Sequence, residues 1–136
     1  RACVADREIG RHMLAYWDAE KATSDADMAF QKAQEARELA QAGGPGDPAQ
    51  ARANADKAGA AYRDAVIKRE NARSALISVL RGHPGVRGLG DDQMLYAVAW
   101  VQRRLRDTPN ALNALDAISG MLDNLAGRFA DLGNAQ

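Results

Sequence analysis

Cysteine, proline and aromatic residues are scarce in this sequence. Of its 136 residues, one is a cysteine, four are prolines and 5% are aromatic. A single cysteine cannot form an intramolecular disulfide, which excludes a disulfide-stabilised scaffold. No apolar run reaches the roughly 18 residues that a membrane-spanning helix needs. We therefore predict a protein that does not insert into a membrane.

Net charge and large apolar side chains are also lacking. The chain carries 18 basic and 18 acidic residues, and alanine supplies 29 of its 63 hydrophobic residues. This composition excludes a disordered or collagen-like chain. The length predicts a single domain, residues 1–136. Because larger apolar residues are few, we expect a thin core built by close approach of backbones.

The ends and the arginine content suggest where the chain comes from. It begins at Arg1 without methionine, so we expect either a segment of a longer protein or a chain whose first residues were removed. Arginine outnumbers lysine 14 to 4, which is typical of a bacterial protein from a GC-rich genome. With one cysteine and no signal peptide, we predict a cytoplasmic location.

Glycine and proline clusters divide the chain into helical segments. The breaks lie at Gly43–Pro48, at Gly82–Gly90 and at Thr108–Pro109, and no segment between them alternates with period two. The sequence therefore predicts an all-α fold. The four predicted helices cover residues 4–42, 48–81, 91–107 and 109–132.

Small residues recur at coiled-coil spacing in the first two helices. The steps between them alternate between four and three residues. In the first helix the series is Ala15, Ala19, Ala22, Ala26, Ala29, Ala33, Ala36 and Ala40. In the second helix it is Ala51, Ala55, Ala58, Tyr62, Ala65, Arg69, Ala72, Leu76 and Val79. A six-residue loop makes the helices antiparallel neighbours. We predict a long hairpin with an alanine seam, in which Ala33 faces Ala58.

Larger apolar residues lie mainly at the start of the first helix and the end of the second. The third and fourth predicted helices carry apolar stripes beginning at Met94 and Leu112. We therefore predict that these two helices complete one end of the hairpin as a four-helix bundle.

Catalytic and metal-binding patterns do not stand out. No nucleophile has an adjacent base, His12 has only Glu8 at helical spacing, and Asp91 and Asp92 oppose an anion at the glycine-rich loop. We predict a protein that is not an enzyme and that uses no metal or cofactor.

A candidate partner-binding surface lies on the third helix. Tyr96, Trp100 and Arg104 follow each other at intervals of four, and Arg103 is adjacent. Aromatic and arginine residues together are typical of interface anchors. The alternative is that the two aromatic residues pack in the core.

Basic residues are concentrated in one part of the chain. Residues 68–106 carry eight basic and three acidic residues. A surface of arginines could bind nucleic acid; the candidates are Arg69, Arg73, Arg81, Arg87 and Arg106. Alternatively, these arginines pair with the acidic residues of 107–136.

Three functional hypotheses follow. The first is a non-catalytic helical module, such as an adaptor, regulatory, secretion-associated or scaffold domain, that binds another protein or its own copy through helical faces. The second is a nucleic-acid-associated module that uses the arginines. The third is a ligand or cofactor site inside the bundle.

Overall fold

The structure, a computed structural model, describes residues 4–83 and 89–106. Most of these residues are helical and none of them is in a strand, which confirms the all-α prediction. The helices are α1 (Val4–Gln41), α2 (Pro48–Leu80) and α3 (Asp91–Arg106). A four-helix bundle is not supported, since the described residues hold three helices. The predicted helix at 109–132 lies outside the described residues.

Local signals explain where α1 ends. Gly43 has a φ of +85°, and its amide donates to the Ala40 carbonyl at 3.3 Å. The Gly44 amide donates to the Leu39 carbonyl at 2.8 Å. These two bonds form a Schellman motif, in which a glycine takes the left-handed conformation that ends the helix.

Side-chain caps begin the other two helices. The carboxylate of Asp47 accepts from the amides of Ala49 and Gln50, both at 3.3 Å, and Pro48 occupies the first helical position. The Gly90 amide donates to Oε1 of Gln93 at 3.1 Å, as in a capping box. Asp91 and Asp92 then place negative charge in the first turn of α3, where the helix dipole favours it.

The chain divides into two compact units. The hairpin unit is Trp17–Ala72. The three-helix unit comprises Arg1–Tyr16 and Arg73–Gln136, of which 4–16, 73–83 and 89–106 are described. Apolar side chains from all three helices are buried in the three-helix unit, namely Ile9, Met13, Leu76, Ile77, Leu80, Met94, Ala97 and Val98, joined by Leu89 before α3.

Within the hairpin unit, cross-helix contacts show the antiparallel pairing of α1 and α2. Phe30 stacks on Tyr62, with ring centroids 6.2 Å apart. Oγ1 of Thr23, earlier in α1, lies 3.1 Å from the carbonyl oxygen of Ala65, later in α2. A Cβ on Gly59 would lie 3.1 Å from Cε1 of Phe30, so the missing side chain makes room for the ring.

The predicted seam is correct for α2 and wrong for half of α1. All nine predicted seam residues of α2 are buried or half-buried. In α1, by contrast, the predicted seam residues Ala15, Ala22, Ala29 and Ala36 are exposed. Their places are taken one residue later along the chain by half-buried or buried residues, namely Tyr16, Thr23, Phe30 and Arg37.

The physical reason for this difference is that the larger side chains form the cross-helix contacts. Phe30 buries more apolar area than Ala29 could, and Thr23 adds a polar contact to the opposite backbone. Alanine is the best helix former, so its repeat at exposed positions supports the helix itself. The contacting face of α1 is therefore mixed rather than wholly alanine.

Candidate interaction surface

The α3 helix has one buried and one exposed side. Met94 and Val98 are 1% and 2% exposed, and Ala97 is also buried. Tyr96 lies on the other side with 61% of its surface exposed, and Arg103, seven residues later, is exposed as well. This amphipathic pattern fixes which side chains of α3 face solvent.

The predicted partner-binding residues are only partly brought to one surface. Tyr96 and Arg103 are exposed, whereas Trp100 is half-buried and makes a contact within the chain. The Arg104 side chain lies outside the described part. The core-packing alternative is therefore wrong for Tyr96.

The predicted arginine surface consists partly of arginines that already have acidic partners. Arg69 pairs with Glu70 at 3.4 Å, and Arg81 pairs with Asp91 at the start of α3. Arg73 is half-buried and also makes a contact. The side chains of Arg87 and Arg106 lie outside the described residues. Exposed ion pairs are worth at most about 1 kcal/mol, so they can be broken, but they lower the charge available to a polyanion.

Two clefts lie in the hairpin unit. The loop cleft has a volume of about 460 Å³ and is lined by Lys32, Ala33, Ala36, Pro45, Gly46, Asp47, Gln50, Ala51 and Asn54. The arginine cleft has a volume of about 200 Å³ and is lined by Phe30, Gln34, Arg37, Ala55, Asp56, Gly59 and Arg63. The loop cleft is mainly apolar, whereas the arginine cleft combines two cations, an amide and a carboxylate.

The residues of the arginine cleft were not among the sites predicted from the sequence. The signal was present, since Thr23, Phe30 and Arg37 follow each other at intervals of seven in α1. That spacing puts them on one helical stripe, but the neighbouring alanine stripe was more regular. Without the register of α2, the sequence did not indicate that Arg37 and Arg63 line the same space.

Other kinds of site are missing from the residues that the structure describes. Among them, no group of three or more histidine, cysteine, aspartate or glutamate side chains is placed to hold a metal ion. No helix within residues 4–83 and 89–106 combines the length and apolarity needed to cross a bilayer.

Comparison with known proteins assigns no relative. No protein-family model matches the chain, and neither a curated protein nor a solved structure matches it.

Proposed function

We propose that this protein is a non-catalytic helical module that binds another protein, or a second copy of itself, through the exposed side of α3. The observation that carries the proposal is the 61% exposure of Tyr96 on a helix whose opposite side is buried. An exposed tyrosine offers a large, rigid contact area with a polar end, and few rotatable bonds are ordered when it binds.

The neighbours of Tyr96 fit this proposal. Arg103 is exposed two turns further along α3, and arginine with tyrosine is a combination enriched at the centres of interfaces. Trp100 lies between them in sequence and is half-buried, so it adds less exposed area to the surface than Tyr96 does. A partner helix laid along α3 would contact Tyr96 and Arg103 from one side.

The test compares two substitutions that each remove an exposed, large side chain. Tyr96→Ala removes the proposed anchor, and Met28→Ala removes the 57% exposed Met28 in the hairpin unit. Light scattering over a range of concentrations measures self-association, and affinity purification from the source organism, followed by titration of the purified partner, measures hetero-association. We expect Tyr96→Ala to weaken association at least tenfold, as anchor truncations do, and Met28→Ala to leave it unchanged.

Two outcomes would contradict the proposal. A chain that stays monomeric and has no partner in either assay would remove its basis. Equal weakening by Tyr96→Ala and Met28→Ala would show that the effect is not specific to α3.

The second proposal is that the chain binds nucleic acid. The dependence of binding on salt concentration distinguishes it from the first proposal. Binding of labelled DNA or RNA that falls steeply between low and physiological salt would favour it, because phosphate contacts release counterions. The pairing of Arg69 with Glu70 and of Arg81 with Asp91 argues for the protein partner. The cytoplasmic location remains part of the first proposal.

A further inference from the structure

The arginine cleft contains two arginines for which the described part of the chain provides no acidic partner. Arg69 and Arg81 each have a carboxylate within 4.0 Å. For Arg37 and Arg63, the described residues provide no carboxylate within that distance and no side-chain hydrogen bond. A guanidinium carries five N–H donors in a planar fork, so two such groups at one cleft offer many unused donors.

The two arginines come from opposite helices of the hairpin unit and line the same cleft. Arg37 is half-buried on the seam of α1, and its backbone position is fixed by the helix. Nη1 of Arg63 lies 3.6 Å from the place that a Cβ on Gly59 would occupy. The Phe30 ring takes the space beside Gly59, and the Arg63 guanidinium lies in ordinary van der Waals range of the same position.

We propose that the arginine cleft binds a single carboxylate, the side chain of a glutamate or aspartate on the protein partner. This inference rests on the proposed function and names the chemistry of the partner. Arginine binds carboxylates through paired N–H···O bonds, and Gln34 adds an amide donor on the α1 side. A volume of about 200 Å³ is enough for one acidic side chain.

The charge around the cleft favours an isolated carboxylate over a nucleic acid. The hairpin unit carries ten acidic and eight basic residues, and Asp56 lines the cleft itself. A duplex carries a negative charge about every 1.7 Å, so its phosphates beyond the cleft would face a unit in which acidic residues outnumber basic ones. A single acidic side chain brings only one negative charge to the cleft, and basic residues next to it on the partner would be attracted by the acidic residues of the hairpin unit.

The direct experiment follows the arginine side chains during a titration. The probe is a short capped peptide with one glutamate between lysines, and the control peptide has glutamine instead. In nuclear magnetic resonance spectra of the full chain, we expect the Nε–Hε signals of Arg37 and Arg63 to shift together and to saturate. The glutamine peptide should cause neither shift.

Substitutions then assign the binding to the cleft. Arg63→Gln changes an exposed side chain and is expected to weaken peptide binding at least tenfold, with a smaller loss for Arg63→Lys, which keeps the charge without the fork. Arg52→Gln is the matched control, because Arg52 is exposed on α2 outside the cleft. Arg37→Gln should resemble Arg63→Gln, and its circular dichroism melting curve checks that the hairpin is intact.

Several results would overturn the cleft proposal without touching the α3 proposal. They are unsaturated shifts, equal weakening by Arg52→Gln and Arg63→Gln, and tighter binding of single-stranded DNA than of the glutamate peptide. A partner that is lost with Tyr96→Ala but not with Arg63→Gln would also overturn it. If the peptide binds and Tyr96→Ala has no effect on the partner, the cleft stands and the α3 surface is wrong.

Discussion

Thr23 provides the sharpest test of how the hairpin unit is held together. It is only 4% exposed, and its Oγ1 lies 2.7 Å from the carbonyl oxygen of Ala19 and 3.1 Å from that of Ala65. The contact to Ala65 links the two helices through a polar group, in a unit where large apolar contacts are few. Thr23→Val keeps the branched shape and removes the hydroxyl.

The expected loss follows from these distances. A net hydrogen bond contributes about 0.5–1.5 kcal/mol. Both carbonyls keep their main-chain helical partners, so no buried acceptor is left unpaired. The new methyl group would lie where Oγ1 is now, 2.7 and 3.1 Å from the two carbonyl oxygens. Carbon–oxygen contacts are usually about 3.3–3.6 Å, so this crowding limits any gain from the apolar surface of the methyl group. We therefore expect Thr23→Val to lower the free energy of unfolding by about 1 kcal/mol.

Urea unfolding followed by far-ultraviolet circular dichroism measures this loss. For a chain of this length, about 1 kcal/mol corresponds to a fall in melting temperature of roughly 3–5 °C. Thr23→Ala should lose more, about 2 kcal/mol, because it also leaves a cavity. Ser24→Ala, at the exposed neighbouring position, should change stability by less than about 0.5 kcal/mol. A Thr23→Val protein as stable as the original would show that the Thr23 hydroxyl does not help to hold the two helices together.

The loop between α1 and α2 yields two further predictions, both measurable by thermal unfolding. Gly43→Ala should destabilise the protein by about 1–2 kcal/mol through its left-handed φ alone, since nothing lies within 4 Å of the added Cβ. Gly44→Ala should destabilise it more, because its Cβ would lie 2.7 Å from the Leu39 carbonyl oxygen. A larger loss for Gly43→Ala than for Gly44→Ala would contradict this geometry. Asp47→Ala removes the cap of α2 and should cost about 1 kcal/mol, while Asp47→Asn should retain most of it, and equal losses in both would show that the cap is not the cause.

Periodicity and punctuation predicted the helices well because those signals are local. Asp47 with Pro48 marks the start of α2, and Gly43 marks the end of α1. The seam of α1 was harder to predict, because two adjacent stripes both have coiled-coil spacing. The choice between Ala29 and Phe30 depends on what the opposite helix offers, namely the bare backbone at Gly59. That information lies about 30 residues away in sequence.

The candidate surfaces show the same limit. The exposed position of Tyr96 follows from the α3 stripe of Met94 and Val98, which sequence periodicity supplies. Whether an arginine has an acidic partner depends on contacts between helices and loops, such as that of Arg81 with Asp91. Counting charged residues along the sequence does not predict these contacts. For this reason the sequence could not predict that Arg63 has no carboxylate within 4.0 Å among residues 4–83 and 89–106.

The contact between Phe30 and Gly59 has a consequence for how the hairpin tolerates insertions. A seven-residue repeat of small side chains could slide by one repeat and still look regular. Such a shift would bring Phe30 opposite Arg52 or Val66, whose Cβ atoms occupy the space that Gly59 leaves open. The contact between the Phe30 ring and Gly59 thus sets the register of the two helices. Residues added between Gln41 and Pro48 should therefore bulge outward rather than displace one helix along the other.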